Sequence, residues 1–415
     1  MVTGPGIRVN MSVYSIAPFF GCMILLIALV STPLFAAADA PPSSRPQRIV
    51  TLDGLRGFLA LAVFFHHSSI YNRFLLGAPW QLPPSRPYAL MGPMGVAFFF
   101  MITGYLFWSR LLAEHGQPDW MRLYIGRVFR IGPLYLAVIV AMLMYVAIRT
   151  GLHLDVPVSQ LAYQVGRWLE LGFVVGPDVN GYKNTALILA GVTWTLHYEW
   201  IFYLALPYLA LAVRYKWMHL PFAAAILIWI FVGDRGDFIY CELFFAGMVT
   251  ASLLRAGIII RLPNHVSSVL VLLFIGAVFV LCHTVYATVP ALLMGLAFYL
   301  IASGCTVFGL LTSRPARRLG DISYGIYLLQ GLVLAAVLRP APLRAIAVGS
   351  PLGHWMLVCL ASVLLVVVAT TAHKYIERPG ISLGKRAAHL IDSAHWPDRA
   401  QDALKKLKGS RDAVG

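Results

Sequence analysis

An acid, an arginine and two histidines stand inside one apolar run of this chain: Asp53 and Arg56 in Leu52-Asp53-Gly54-Leu55-Arg56-Gly57, then His66 and His67. Ionisable side chains are costly in hydrocarbon, so in a segment of this kind they mark a functional site. On a helix, the eleven residues from Arg56 to His67 make three turns plus about 20°, so both side chains share a face, roughly 16 Å apart along the axis. His66 is rotated away by about 100°. Imidazole titrates near neutral pH and can accept a proton from a hydroxyl, which makes His67 the candidate general base. The plain alternative is a histidine satisfied by a neighbouring helix; Arg56 and the preceding Asp53 weigh against it.

A second cluster, Arg122, Arg127 and Arg130, surrounds Tyr124-Ile125-Gly126-Arg127-Val128-Phe129-Arg130-Ile131-Gly132-Pro133. Three residues apart on a helix, Arg127 and Arg130 project together and suit one multiply charged phosphate group. Membrane topology alone would also put arginines there. Arg56, on the helix that carries His67, favours the phosphate clamp: a phosphorylated donor with a long arm could dock on these cations and reach inward to the histidine. Thr193-Trp194-Thr195-Leu196-His197-Tyr198-Glu199-Trp200 opens another apolar segment. Glu199 can pair with an arginine or hold a histidine in one tautomer, the alternative being an interfacial Trp and Tyr belt with one charge. Glu242 and Asp321 read as structural pairs. Gly95 and Gly104, flanking Phe98-Phe99-Phe100-Met101-Ile102-Thr103, should let helices approach closely, with a passage for an acyl or pantetheine arm as a further use.

The elements that must position these residues are membrane helices. Of 415 residues 59% are hydrophobic and 12% charged, outside the ordinary soluble range. Apolar stretches at 51–70, 88–112, 131–149, 194–214, 219–233, 238–256, 266–286, 289–311, 322–338 and 354–375 predict an all-α, polytopic protein with ten core transmembrane helices. The net charge of +15 raises nucleic acid as a partner, but the basic residues follow the positive-inside rule and no nucleic-acid partner is expected. With both ends of the ten-helix core in the cytosol, that side receives Arg56, Arg127, Arg130, Arg314, Arg317 and Arg318. This implies a multi-pass protein of the cytoplasmic (inner) membrane.

Residues 1–50 form an N-terminal hydrophobic segment and linker, 51–379 the membrane domain and 380–415 a basic cytosolic tail that contacts membrane lipids, with Ala400 to Lys408 helical. The stretch 11–36 reads as a signal peptide, from the small residues Ala36-Ala37-Ala38, or as an extra helix with its N-terminus outside. The extra helix is favoured, because it keeps Arg45, Arg48 and Arg56 cytosolic. Residues 150–193 form the longest loop, read as external, with an amphipathic helix from Gln160 to Val175. The five cysteines lie singly in apolar runs and read as packing residues, so no metal site is expected.

Together these pieces resemble the acyltransferase type 3 family of integral membrane acyltransferases. Leu52 to His67 is similar to its first helix, Gly95 to Tyr105 to its phenylalanine-rich segment, and Arg127 to Tyr135 to its arginine pair before Pro and Tyr. Trp194 to Tyr203, Glu242 to Gly247, Leu319 to Leu329 and Glu377-Arg378-Pro379 follow in the family's order. Two departures stand out: Thr103 replaces a serine, keeping a hydroxyl, and Gln330 replaces a histidine, so no catalytic role is expected of it. The resemblance implies acyl-CoA as co-substrate, most often acetyl-CoA, no bound cofactor, and a sugar hydroxyl of a glycan or lipid-linked glycan as acceptor. It implies His67 as base or acyl relay, Glu199 as the next catalytic candidate and a partner of the site, Arg56, Arg127 and Arg130 on the donor phosphates, and Asp53, Trp194, Thr103 and Tyr324 in support. No hydrolase-like domain is expected after residue 379, so a second transfer step would need another protein. An exporter or flippase of a glycan or lipid is the competing reading, weakened by the lack of internal repeats; acylation of a small molecule or lipid is another.

Overall fold

The computed structural model describes residues 12–39, 49–215 and 239–394, and every regular element in them is helical. In chain order these are α1 (Ala17–Ser31), α2 (Val50–Leu75), α3 (Arg86–Ala113), α4 (Trp120–Arg149), α5 (Val158–Leu169), α6 (Trp194–Arg214) and α7 (Ile239–Arg255). There follow α8 (Asn264–Leu281), α9 (Thr288–Ala302), α10 (Arg314–Asp321), α11 (Ser323–Leu338), α12 (Ala341–Gly349), α13 (Pro351–Ala372), a π-helical turn (His373–Glu377) and α14 (Arg378–Ala394). Nine of the ten expected segments hold a helix; 219–233, and the helix expected at Ala400 to Lys408, lie outside the described residues.

The expected bounds fail at two points that matter. α4 starts at Trp120 rather than 131, because Asp119 accepts from the Arg122 N–H and caps it, so the arginine cluster sits on the helix itself. α9 stops at Ala302 rather than 311, where Gly304 and Gly309 take positive φ and turn the chain. By length and apolarity five described helices can cross a bilayer: α3, α4, α6, α8 and the stretch from α13 onward. The pair α10 and α11, bent by 67°, passes the same criterion only when taken together, as a broken span or a re-entrant loop. α2 is long enough, but Asp53, Arg56, His66, His67 and its serines dilute its apolar character. The lipid face shows on α4, where Leu136, Val140, Met144 and Ile148, four apart, are 39%, 51%, 60% and 71% exposed.

Helix α3 lies between α2 and α7, and glycines set the spacing. A Cβ at Gly104 would come within 2.1 Å of the Phe244 carbonyl, and one at Gly247 within 2.0 Å of that of Met101. Gly95 abuts Leu59 and Val63 of α2. The expected close helix contacts are therefore made.

One segment departs from its sequence reading. The loop from 150 to 193 carries the expected amphipathic helix, α5, but its second half is no surface loop. Thr185, Ile188, Leu189 and Val192 are buried, and the Leu189 backbone packs on Gly331 of α11, so α6 begins inside the bundle. The N-terminal stretch forms α1, fifteen residues long and docked along its length. Tyr88 Oη and Trp355 Nε1 donate to the carbonyls of Ser15 and Val13 before it. Buried Arg318 donates to Val30, Thr32 and Asp39 at its far end, and Arg314 also grips Asp39. The Arg318 guanidinium, with Arg314, holds the Asp39 carboxyl well below the usual carboxylate range.

Candidate functional site

A cavity of about 230 Å³ opens among α2, α3, α4, α6 and α11. Six of the nine residues expected at the site line it: Arg56, Thr103, Arg127, Arg130, Glu199 and Tyr324. They come from five helices and meet because the glycine contacts draw α3 against α2 and α7, while the α10–α11 bend delivers Ser323 and Tyr324. Arg127 lies over the ring of Phe107 at 5.1 Å and Arg130 over that of Tyr324 at 5.5 Å. Tyr324 Oη donates to the Ile131 carbonyl over 2.9 Å, tying α11 to α4.

The charges are not equivalent. Arg130 Nη1 donates to Glu377 Oε2 over 2.6 Å, and the Glu377 side chain is fully buried. Glu377 comes from the closing Glu-Arg-Pro motif and was missing from the expected site, although that motif was its sequence signal. Arg127 has no carboxylate partner within ion-pair distance among the described residues, and Glu199 accepts from Tyr203 Oη over 2.8 Å. The clamp is thus less free than the arginine spacing implied: Arg127 and Arg56 present their charge to the cavity, whereas Arg130 is half-engaged. Ser323, at the start of α11, is buried with its hydroxyl unpartnered and lines the same space.

His67, Asp53 and Trp194 are not in the cavity lining. Asp53 lies in the first turn of α2 with its backbone against Gly320. Trp194 packs in an aromatic group with Phe100, Tyr198 and Tyr240, next to Thr195, which does line the cavity. His67 lies beyond the roof, where Phe99 packs edge-on against Tyr327 and Tyr327 Oη meets Thr195 Oγ1 at 2.9 Å. One helical turn past Tyr327, Gln330 Oε1 stands 3.1 Å from His67 Nδ1. On the far side Trp80 stacks over the imidazole at 6.0 Å.

Gln330, of which no catalytic role was expected, has a positioning one. Its Nε2 donates to the Tyr327 carbonyl over 2.8 Å, and a carbonyl can only accept, so the amide is oriented with Oε1 toward the histidine. An accepting oxygen requires a proton on His67 Nδ1, which leaves the lone pair on Nε2, the tautomer a general base needs. Glu199 does not hold this histidine, as one reading of it proposed; the amide does. His66 is fixed differently, donating to the Tyr88 carbonyl over 2.6 Å with its ring against Gly92.

A family model for an acyltransferase domain matches residues 49–371, most of the chain. The protein belongs to the acyltransferase type 3 family. This acyltransferase is 27% identical over 365 residues to "Nodulation protein 10" of Rhizobium leguminosarum bv. viciae, covering 80% of its own length and 93% of that protein's. It is 27% identical over 417 residues to "Acyltransferase MdmB" of Streptomyces mycarofaciens, covering 88% and 99%. No solved structure matches. Membership makes the chain a membrane acyltransferase, and the matched span includes the cavity, its roof and His67, but not Glu377.

Proposed function

We propose that this acyltransferase moves an acyl group, acetyl foremost, from acyl-CoA to a hydroxyl of a cell-envelope or exported glycan. The observation that carries the reading is the pairing of an arginine-lined cavity with a tautomer-locked imidazole beyond its roof. Arg56 and Arg127, with the half-engaged Arg130, hold the donor phosphates. The pantetheine arm spans the roughly 16 Å from Arg56 to His67, passing Thr103 and the Phe99–Tyr327 contact. His67 Nε2 takes the proton of the acceptor hydroxyl as its oxygen bonds to the thioester carbonyl carbon. The carbon–sulfur bond breaks, the leaving thiolate receives that proton, and free CoA and an ester remain.

The two-sided arrangement suits these partners, since CoA is anionic and cytosolic whereas a glycan or lipid-linked glycan approaches from the other face. Ten crossings of the inner membrane, with His67 near mid-depth, are part of the proposal. The glycan half is tested by mass spectrometry of surface glycans from a deletion strain and its complemented parent. Loss of one acyl mass, restored by wild type, is expected; unchanged glycans would remove this acceptor class.

A further inference from the structure

A second arginine cluster lies at the other end of the bundle. From Arg130 to Arg149 on α4 is nineteen residues, about 28 Å of helix. There Arg149, Arg339 and Arg344, with Tyr145, line a separate cavity of about 680 Å³. Arg339 is held rigidly: it donates to Tyr71 Oη, Tyr182 Oη and the Leu187 carbonyl at 3.1–3.3 Å, and lies 5.7–5.9 Å from the rings of Tyr71, Phe74 and Tyr145. Arg344 donates to the Leu75 carbonyl. No carboxylate among the described residues forms an ion pair with any of the three. Three guanidiniums without an ion-pair partner among the described residues, at the end that the expected topology places outside, call for a cause other than orientation.

We infer that this vestibule binds a lipid-borne phosphate, the anionic end of the acceptor or of a lipid beside it. Two held guanidiniums, Arg339 and Arg344, and the exposed Arg149 beside them, without carboxylate partners among the described residues, make an anion receptor suited to a multiply charged group. The site lies where α4 and α11 end, at the terminus of a helix long and apolar enough to cross a bilayer. It also connects to the proposed base: Arg339 bonds Tyr71, the Tyr71 ring packs edge-on against Trp80 at 5.3 Å, and Trp80 stacks on His67. A phosphate held at Arg339 would leave a hydroxyl further along the same molecule to displace Trp80 and meet Nε2. Only that last step rests on the acyl-transfer reading.

The test uses the full chain in phosphatidylcholine nanodiscs, titrated with farnesyl diphosphate and, separately, farnesol and acetyl-CoA. Arg149→Gln with Arg344→Gln removes two exposed charges and leaves the packed Arg339 in place. Farnesyl diphosphate should bind wild type and lose about tenfold or more in the double variant, since each charged hydrogen bond lost is worth about that factor. Farnesol should not bind detectably, and acetyl-CoA affinity should be the same in both proteins. Adding phosphatidylglycerol separates the sources: competition with farnesyl diphosphate assigns the site to bilayer headgroups, and its absence to a lipid-linked diphosphate. Equal farnesyl diphosphate affinity in wild type and variant, or farnesol binding as tightly, overturns the inference. No acetyl-CoA binding by wild type, with diphosphate discrimination intact, would sink the donor reading alone.

Discussion

Replacing Gln330 with methionine keeps side-chain length and removes the acceptor that fixes His67. The wild-type bond, 3.1 Å and part-buried, is neutral, so its net worth is about 1 kcal/mol, and a buried donor left unpaired costs about 1–3 kcal/mol. Released, the imidazole gains access to the tautomer with its proton on Nε2, which cannot accept from a hydroxyl. Charging about 1–2 kcal/mol to the reactive tautomer lowers kcat by roughly 5- to 30-fold. His67→Ala removes the base outright and should cost about 10²- to 10⁴-fold. Because Gln330 acts only through His67, the double variant should be no slower than His67→Ala, whereas independent contributions would multiply. Donor affinity should not change, as Gln330 is outside the cavity lining. The assay is steady-state transfer from acetyl-CoA by reconstituted protein, with CoA affinity measured separately. Wild-type kcat in Gln330→Met, or a multiplied loss in the double variant, would refute the tautomer argument.

Arg127→Ala should raise the donor KM by about 10- to 100-fold with little loss of stability, from the loss of a charge-assisted phosphate contact. Arg130→Ala should instead lower thermal stability by about 3 kcal/mol, because it leaves the buried Glu377 carboxylate with only His373 Nδ1, 3.3 Å away, and Glu377→Gln made alongside should recover part of that; melting curves separate the two arginines. Gly104→Val should yield unfolded or unassembled protein, since its Cβ meets the Phe244 backbone at 2.1 Å, and monodisperse, active protein would contradict that packing. For Asp39, whose carboxyl is depressed by Arg318 and Arg314, the docking contribution is present above the unfolded value near pH 3.9 and is lost as pH falls below it toward the folded one. Asp39→Asn should therefore lower the melting temperature at neutral pH, and the gap to wild type should close below about pH 4.

Local patterns were legible wherever neighbours on one helix decide the outcome. The shared side of Arg127 and Arg130, the close-packing glycines and the amphipathic α5 follow from helical spacing and residue size. What spacing could not supply is the identity of partners on other helices. Arg56 and His67 share a helix face, yet Tyr327 and Phe99 intrude between their levels, so one lines the cavity and the other stands beyond its roof. Arg130 read as free because Glu377, nearly 250 residues later, carried no local sign of returning to it. Gln330 read as the loss of a histidine; the Tyr327 carbonyl that orients its amide, and thereby the imidazole, exists only in the folded helix. The half of the loop that enters the core is polar and glycine-punctuated enough to pass for surface, but Thr185 and Asp178 satisfy its backbone internally.

The central claim, that the arginine cavity holds a CoA thioester for an imidazole base at residue 67, is tested most directly by label transfer. Wild type and His67→Ala, each reconstituted and first shown to bind acetyl-CoA equally, are given acetyl-labelled CoA and a membrane extract containing glycan acceptor. Label should enter the acceptor with wild type and fall by about 10²-fold or more with the variant, while CoA binding is preserved. Equal incorporation by both proteins would contradict the account.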